Sequence, residues 1–349
     1  MITALLLAAA ATAAAPVPGS VPGEIKTFKD WYVACDNVWS CEAGTLAEEG
    51  GDFTTAMAVR IWRKGGPDAP LRIELTPPQD MATGPARLKI DARPTLAGTQ
   101  RTSGNTRLDE AQTLGIARTL ANGSQAQLIL SDGTSVLLSL AGSSAALRYI
   151  DAVQQRAGTS GAIIATGPKT DSALPPPAPK LVARAASRLT ELPDMKDYPR
   201  IITETGCEYR MEGVEDTVHP LGQREGKDMA LALIACDSGA YNFGAAVMIA
   251  ERPMEDPNAA WEFKPAKFDG ATGWGGDDQV PQVVNASFSP ETGELSEFAK
   301  GRGLGDCGVA SSYVWDGEMF RLSEKHEMGD CRGVWEWPRV WITDVSVVR

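Results

Sequence analysis

Two histidines, His219 and His326, are all that the 349 residues contain, and neither sits in an H-E-x-x-H or a Cys/His metal spacing. That scarcity removes the usual imidazole base of nucleophilic catalysis and the commonest zinc ligand. No G-x-S-x-G elbow accompanies them, and each reads as a surface histidine. Positive charge is also short, with 33 basic against 45 acidic residues, a net charge of -12 and a pI near 4.8. Nucleic-acid binding rests on Lys and Arg neutralising phosphates, so no nucleic-acid partner is expected. With 22% charged and 43% hydrophobic residues, the chain is neither disordered nor a coiled coil and fits about two globular domains. No run approaches the roughly 20 apolar residues of a membrane-spanning helix, so the mature chain is expected to have no transmembrane anchor.

What is present begins with residues 2 to 15 (ITALLLAAAATAAA), an uncharged 14-residue apolar run of the length of a signal-peptide core. Ala11, Ala13 and Ala15 offer A-x-A cleavage sites before Pro16. No Lys or Arg follows Met1, so a misassigned start or a short hydrophobic N-terminus also fits. The expectation is a signal peptide over 1 to 15 and a periplasmic location. The six cysteines, Cys35, Cys41, Cys207, Cys236, Cys307 and Cys331, include no C-x-x-C pair and do not read as sitting in the setting that activates a thiol. In an exported chain they read as three disulfides. Fifteen pairings are open. The sequential one is expected, because Cys35 with Cys41, Cys207 with Cys236 and Cys307 with Cys331 each bracket a turn or hairpin region.

Residues 167 to 180 (GPKTDSALPPPAPK) hold five prolines and no hydrophobic period, as in a semi-rigid linker. They separate an expected α+β domain over 16 to 166 from an acidic, tryptophan-rich, mainly antiparallel β domain over 181 to 349. The charge supports this division: residues 1 to 180 carry 16 basic and 16 acidic groups, residues 181 to 349 carry 17 and 29. In the first part, alternation at Met57 to Ile61 and Leu71 to Leu75 predicts a hairpin, with a shorter strand at Leu88 and Ile90. Asp109 is positioned to cap a helix ending at Asn122-Gly123, and Asp132-Gly133 to turn a second hairpin. Ser143 or Ser144 then caps an amphipathic helix expected to end at Gly158. Beyond the linker, a short helix is expected over Leu181 to Leu192. Hairpins follow around Cys236 to Gly239, Pro290 to Gly293 and Asp316-Gly317. Six of the nine tryptophans fall in this part (Trp261, Trp274, Trp315, Trp335, Trp337, Trp341), either as core or as an aromatic ligand surface; core is the reading for most.

Residues 303 to 308 (GLGDCG) satisfy G-x-G-x-x-G, but a dinucleotide fingerprint follows a buried parallel strand and opens a helix. Here the surroundings are hairpins and a disulfide cysteine, so the segment reads as a glycine-rich loop and no cofactor is expected. Its cations make Lys300, Arg302, Gly303 and Gly305 the candidate binding residues, facing an anionic group. Asp277-Asp278 has the oxygens for calcium but reads as solvated loop carboxylates, and no metal site is expected. A carboxylate pair for glycoside hydrolysis cannot be placed on named residues, and the catalytic residues stay unknown.

Five segments taken together resemble the bacterial family catalogued as domain of unknown function 1176. They are Phe28 to Glu42 (FKDWYVACDNVWSCE), Ser139 to Thr159 (SLAGSSAALRYIDAVQQRAGT), Lys300 to Gly308 (KGRGLGDCG), Tyr313 to Leu322 (YVWDGEMFRL), and Cys331 to Gly333 with Trp337-Pro338. The opening DWYVACD is also similar to the start of the invasion-associated locus B family. The resemblance implies an exported, disulfide-bonded protein and brings no activity with it. Without a catalytic constellation, the function expected is a periplasmic binding or interaction protein, its partner an envelope protein or cell-wall component. The alternative is a cell-envelope hydrolase with a carboxylate pair in the second domain.

Overall fold

A computed structural model describes residues 21–78, 81, 84–101, 104–207, 213–270, 272 and 280–348. The apolar run at 2 to 15, Trp274 and Asp277-Asp278 lie outside the described residues. In chain order the first part contains β1 (Ile25–Phe28), β2 (Trp31–Cys35), β3 (Cys41–Thr45), β4 (Val59–Arg63), β5 (Leu71–Leu75), β6 (Arg87–Ile90), β7 (Gly98–Gln100), β8 (Thr106–Leu108), α1 (Glu110–Asn122), β9 (Ala126–Ile129), β10 (Ser135–Leu138) and α2 (Ser143–Val153). The second part contains β11 (Lys180–Arg184), α3 (Pro199–Glu204), β12 (Thr217–Arg224), β13 (Lys227–Ser238), β14 (Phe243–Pro253), β15 (Glu262–Pro265), β16 (Gln282–Val284), β17 (Ser287–Ser289), β18 (Glu294–Lys300), β19 (Gly308–Trp315), β20 (Phe320–Met328), β21 (Arg339–Ile342) and β22 (Asp344–Val348). The described residues are mostly β, with three α-helices among them, and so are richer in strand than the expected α+β class implies.

A seven-stranded antiparallel sheet runs β1-β2-β3-β4-β5-β8-β7, beside a small β10-β9-β6 sheet. Period-two alternation sends Trp31, Val33 and Cys35 of β2, Ala43 of β3, and Val59 and Ile61 of β4 into one core. Leu120 of α1, Leu147 and Ile150 of α2, and Leu88 and Leu128 of the small sheet join them. Asp109 caps α1 through the amide of Ala111. The residue before α2 is not a serine cap but Gly142, at φ +97. A Cβ there would fall 1.6 Å from the carbonyl oxygen of Phe28, so the close approach of α2 to β1 demands glycine. Ser143 instead donates to Leu120 and Leu140 carbonyls. The helix stops at Val153, short of Gly158, because the buried Asp151 turns the chain back: its carboxylate accepts the amides of Ile163, Ile164 and Ala165 at 2.7 to 2.9 Å. Farther on, Lys169 bridges Thr159, and Asp171 pairs with the buried Arg156.

In the second part, β12-β13-β14-β15 form one sheet, with β16 on β14, and β17-β18-β19-β20-β21 form another. Leu231, Leu233, Val247 and Ile249 of the long β13-β14 hairpin face Leu295, Tyr313, Trp315 and Phe320. Their neighbours Ala232, Ile234, Ala246 and Met248 pack on the other face with Met195 and the Cys207–Cys236 disulfide. The expected helix at 181 to 192 is replaced at its start by β11, which pairs in parallel with β22. Trp261, Trp315, Trp337 and Trp341 are buried, whereas Trp335 is 41% exposed. The disulfides pair sequentially, Cys35–Cys41, Cys207–Cys236 and Cys307–Cys331.

The two parts meet along a seam. All five residues of β2 are buried because its second face is covered as well: Tyr32, Leu46 and Met57 pack with Cys307, Met328, Val334 and Trp337. The aspartates flanking β2 each hold an arginine from the far end of the chain. Asp30 accepts from Arg332 at 2.7 Å, while Arg332 also donates to the Lys29 and Ala47 carbonyls. Asp36 accepts from Arg339 Nε and Nη2 at 3.1 and 2.9 Å. Asn37 bonds both backbone groups of Ile342.

Candidate functional site

The Lys300 to Gly308 loop is the turn of the β18-β19 hairpin, not a strand-to-helix junction. Arg302 lies across it, giving Nε and Nη2 to the two oxygens of Asp306 and Nη2 also to the Cys331 carbonyl. Asp306 is fully buried and accepts the Gly333 amide at 2.8 Å. Burial pushes its carboxyl up, but the bonds from Arg302 and Gly333 outweigh this and leave it below the usual range. Gly305 donates to the Arg302 carbonyl, and Gly303 lies against the ring of Tyr241. Gly308, at φ +147, has no room for a Cβ, which would lie 2.6 Å from the ring of Trp337. Arg302, Gly303 and Gly305 therefore shape the loop. The Lys300 backbone is held by Asn242.

A cavity of about 340 Å³ opens in the seam, and its polar wall comes from the sheet face turned away from the first core. Tyr32, Glu42, Arg60 and Trp62 share that face because Glu42 stands opposite Trp62, and Gly44 stands between Tyr32 and Arg60. A Cβ on Gly44 would lie 2.7 Å from the Tyr32 ring; its absence lets the ring cross β3 to Glu42. Glu42 accepts from the Tyr32 hydroxyl at 2.6 Å and from Trp62 Nε1 at 2.7 Å. Burial nevertheless pushes the Glu42 carboxyl up, against these two donors and the nearby Arg60. Arg60 stacks over Trp62 at 4.7 Å and lies 4.0 Å from Glu42. It pairs across the seam with Glu336.

From the second part come His326, Glu336, Trp337 and Arg339. His326 sets one ring nitrogen 2.9 Å from the Trp337 carbonyl and the other 3.1 Å from Glu324. Two shielded donors of these lining residues, Arg60 Nε and Trp337 Nε1, have no hydrogen-bond partner among the described residues. On one side Trp62 and Ser40 also line a second cavity of about 530 Å³, which holds Lys64, Arg72 and the Arg107–Glu74 pair. On the other side Trp337 stacks on the exposed Phe298 at 4.5 Å, and Lys300 Nζ lies 6.0 Å from that ring. Lys300 thus stands two rings away from the seam cavity. His219 is elsewhere, half-buried against Phe288. Among the described residues no group of His, Cys, Asp and Glu has the arrangement of a metal site.

The profile of the family described as "Protein of unknown function (DUF1176)" matches residues 25–344. The chain belongs to this family. It is 30% identical over 334 residues to the uncharacterized protein YpfG of Escherichia coli (strain K12), covering 91% of this chain and 92% of the relative. No solved structure matches it significantly. The quoted segments of this DUF1176 chain largely converge on the seam: Asp30 and Asp36 on either side of β2, α2 behind it, the Arg302–Asp306 turn, Arg332, and Trp337. No helix of the described residues is long and apolar enough to cross a membrane.

Sequence reasoning did not find Glu42, Arg60, Trp62 or Glu336. Glu42, Arg60 and Trp62 alternate with core residues, a pattern that reads as an ordinary solvent face. The available signal was an arginine and a tryptophan, Arg60 and Trp62, two positions apart on that face.

Proposed function

We propose that this DUF1176 protein is a periplasmic binding protein whose seam cleft takes a cell-wall component. The observation that carries this reading is Trp62, which lines two cavities at once, with Arg60 and Glu42 on one side and Lys64 and Arg72 on the other. An indole flanked by hydrogen-bonding and charged groups stacks a sugar ring while fixing its substituents. Paired cysteines and the apolar run at 2 to 15 support export. Lys300, at the Phe298 end, extends the same surface, while Arg302, Gly303 and Gly305 hold its loop in shape.

The test is calorimetric titration of the purified chain with soluble fragments from muramidase-digested cell wall. Saturable binding is expected, weakened at least about tenfold by Trp62→Ala and retained in part by Trp62→Phe. No saturable heat, or full affinity in Trp62→Ala, overturns the reading; an envelope protein as the true partner would give that first result.

The hydrolase alternative calls for a carboxylate pair within the second part; at the seam the carboxylates that meet are Glu42 of the first part and Glu336 of the second, which approach the same Arg60 nitrogen. Glu42 belongs to the first part and both its oxygens are already engaged by Tyr32 and Trp62, so this is not the pair that alternative calls for. Binding is therefore the reading preferred.

A further inference from the structure

The seam cavity and its neighbour share Trp62 and Ser40 but differ in charge. We infer that the neighbour, of about 530 Å³, is an anion subsite, in which Lys64, Arg72 and Arg107 receive a carboxylate or phosphate of the ligand whose ring meets Trp62. This rests on the reading of Trp62 as a ligand platform, and adds the chemical class of the ligand and the direction in which it lies.

Period-two alternation builds the subsite on the sheet face turned away from the first core. Arg72 of β5 stands directly opposite Trp62 of β4, and Arg107 of β8 directly opposite Glu74 of β5. Side chains so opposed lie about 5 Å apart at Cβ. Lys64 follows the end of β4 and lines the same cavity. In all, four cations and one carboxylate, Glu74, line it. Arg63 is buried and spent on the Ala69 and Gly161 carbonyls, and Arg107 gives Nε and Nη2 to one oxygen of Glu74 at 2.9 and 2.6 Å. The other two are open to solvent. Lys64 is exposed, and its ammonium makes no hydrogen bond or ion pair among the described residues. Arg72 is exposed as well, and Glu110 lies 3.5 Å from it with both side chains about half-exposed, a pair that water already screens.

The seam cavity is the reverse. Asp36, Glu42 and Glu336 outnumber Arg60 and Arg339 there, and both arginines are already taken, by Glu336 and Asp36. An incoming acid meets three carboxylates in the seam, whereas beyond Trp62 it meets an excess of positive charge beside an indole wall, the setting that concentrates anions. This excess is local, because residues 1 to 180 carry 16 basic and 16 acidic groups and the whole chain is at -12. A ligand ring at Trp62 therefore turns its acidic substituent toward Arg72 and its uncharged end toward the seam.

Calorimetric titrations of the full chain use three sugars: N-acetylmuramic acid, which carries a carboxylate, N-acetylglucosamine phosphorylated at its anomeric oxygen, and N-acetylglucosamine, which has neither group. At least one acid is expected to bind about fivefold or more tightly than the neutral sugar, with a preference that shrinks as salt is added; which acid is preferred tells carboxylate from phosphate. Lys64→Gln combined with Arg72→Gln is expected to weaken that acid roughly five- to tenfold, the worth of two exposed charge contacts, and to leave the neutral sugar unchanged. Matched thermal melts confirm that the double variant is folded. No binding of either acid, equal binding of all three sugars, or full affinity for the acid in the folded double variant overturns the subsite. The reading of Trp62 then stands if wall fragments bind and lose affinity in Trp62→Ala, and falls too if they do not. If acid binding depends on Lys64 and Arg72 but not on Trp62, the anion subsite stands and the wall-ligand reading falls.

Discussion

Asp306 sits with no solvent exposure between the guanidinium of Arg302 and the amide of Gly333. Burial acts to raise its carboxyl, and the hydrogen bonds from Arg302 and Gly333 prevail, so the folded value lies below the unfolded one. A depressed carboxylate contributes stability above its unfolded value, near 4, and loses it as pH falls through the folded value. Asp306→Asn is therefore expected to cost about 2 kcal/mol at neutral pH and to flatten the loss of stability below about pH 4. Thermal melts of parent and variant at pH 7 and pH 3 check both statements; an equal acid loss in the two proteins would contradict them. The same residues show the limit of reading charge from sequence. Lys300 and Arg302 look alike as loop cations, yet Arg302 is turned onto an aspartate four positions away, and only the bend of the hairpin brings that about.

At the scale of elements, the hairpins were legible because both of their causes are local, a period of two and a turn residue. The β4-β5, β9-β10, β13-β14 and β19-β20 pairs all form where that pattern stands. The exceptions have distant causes. Residues 181 to 192 are rich in Ala, Leu and Arg, good helix formers, but β22 supplies a strand partner more than 150 residues away and overrides them. At α2 the serines read as caps, whereas contact with β1 selects Gly142. Gly142→Ala is expected to destabilise the fold by about 2 kcal/mol, since either the φ +97 backbone or the Phe28 carbonyl must move. Chemical denaturation measures this directly, and a variant as stable as the parent would show that α2 is not held so closely.

For the whole molecule the seam decides the architecture, and none of it was visible in the sequence. Its cavity is built from residues as far apart as Glu42 and Trp337, and the alternation that exposes Glu42, Arg60 and Trp62 looks the same whether water or another sheet lies opposite. Because Tyr32, Leu46 and Met57 find their cover across the seam, the two parts are expected to melt as one unit. Calorimetry of the full chain should give a single transition, and residues 16 to 166 expressed alone should be much less stable. Two separate transitions would argue that the seam is only an accessory contact.

The order of the strands also sets a timetable. The second part is closed by pairing β11 with β22, and Asn37 waits for Ile342. A chain that emerges N-terminus first makes β2 almost at once, yet its outer face meets its partners only after some 300 residues have followed. Throughout that interval Tyr32 and its neighbours stay open to any passing apolar surface. The seam is thus completed only once residues 332 to 342 are available, and a molecule lacking residues 330 to 349 would lose both the lock on β2 and the partner of β11.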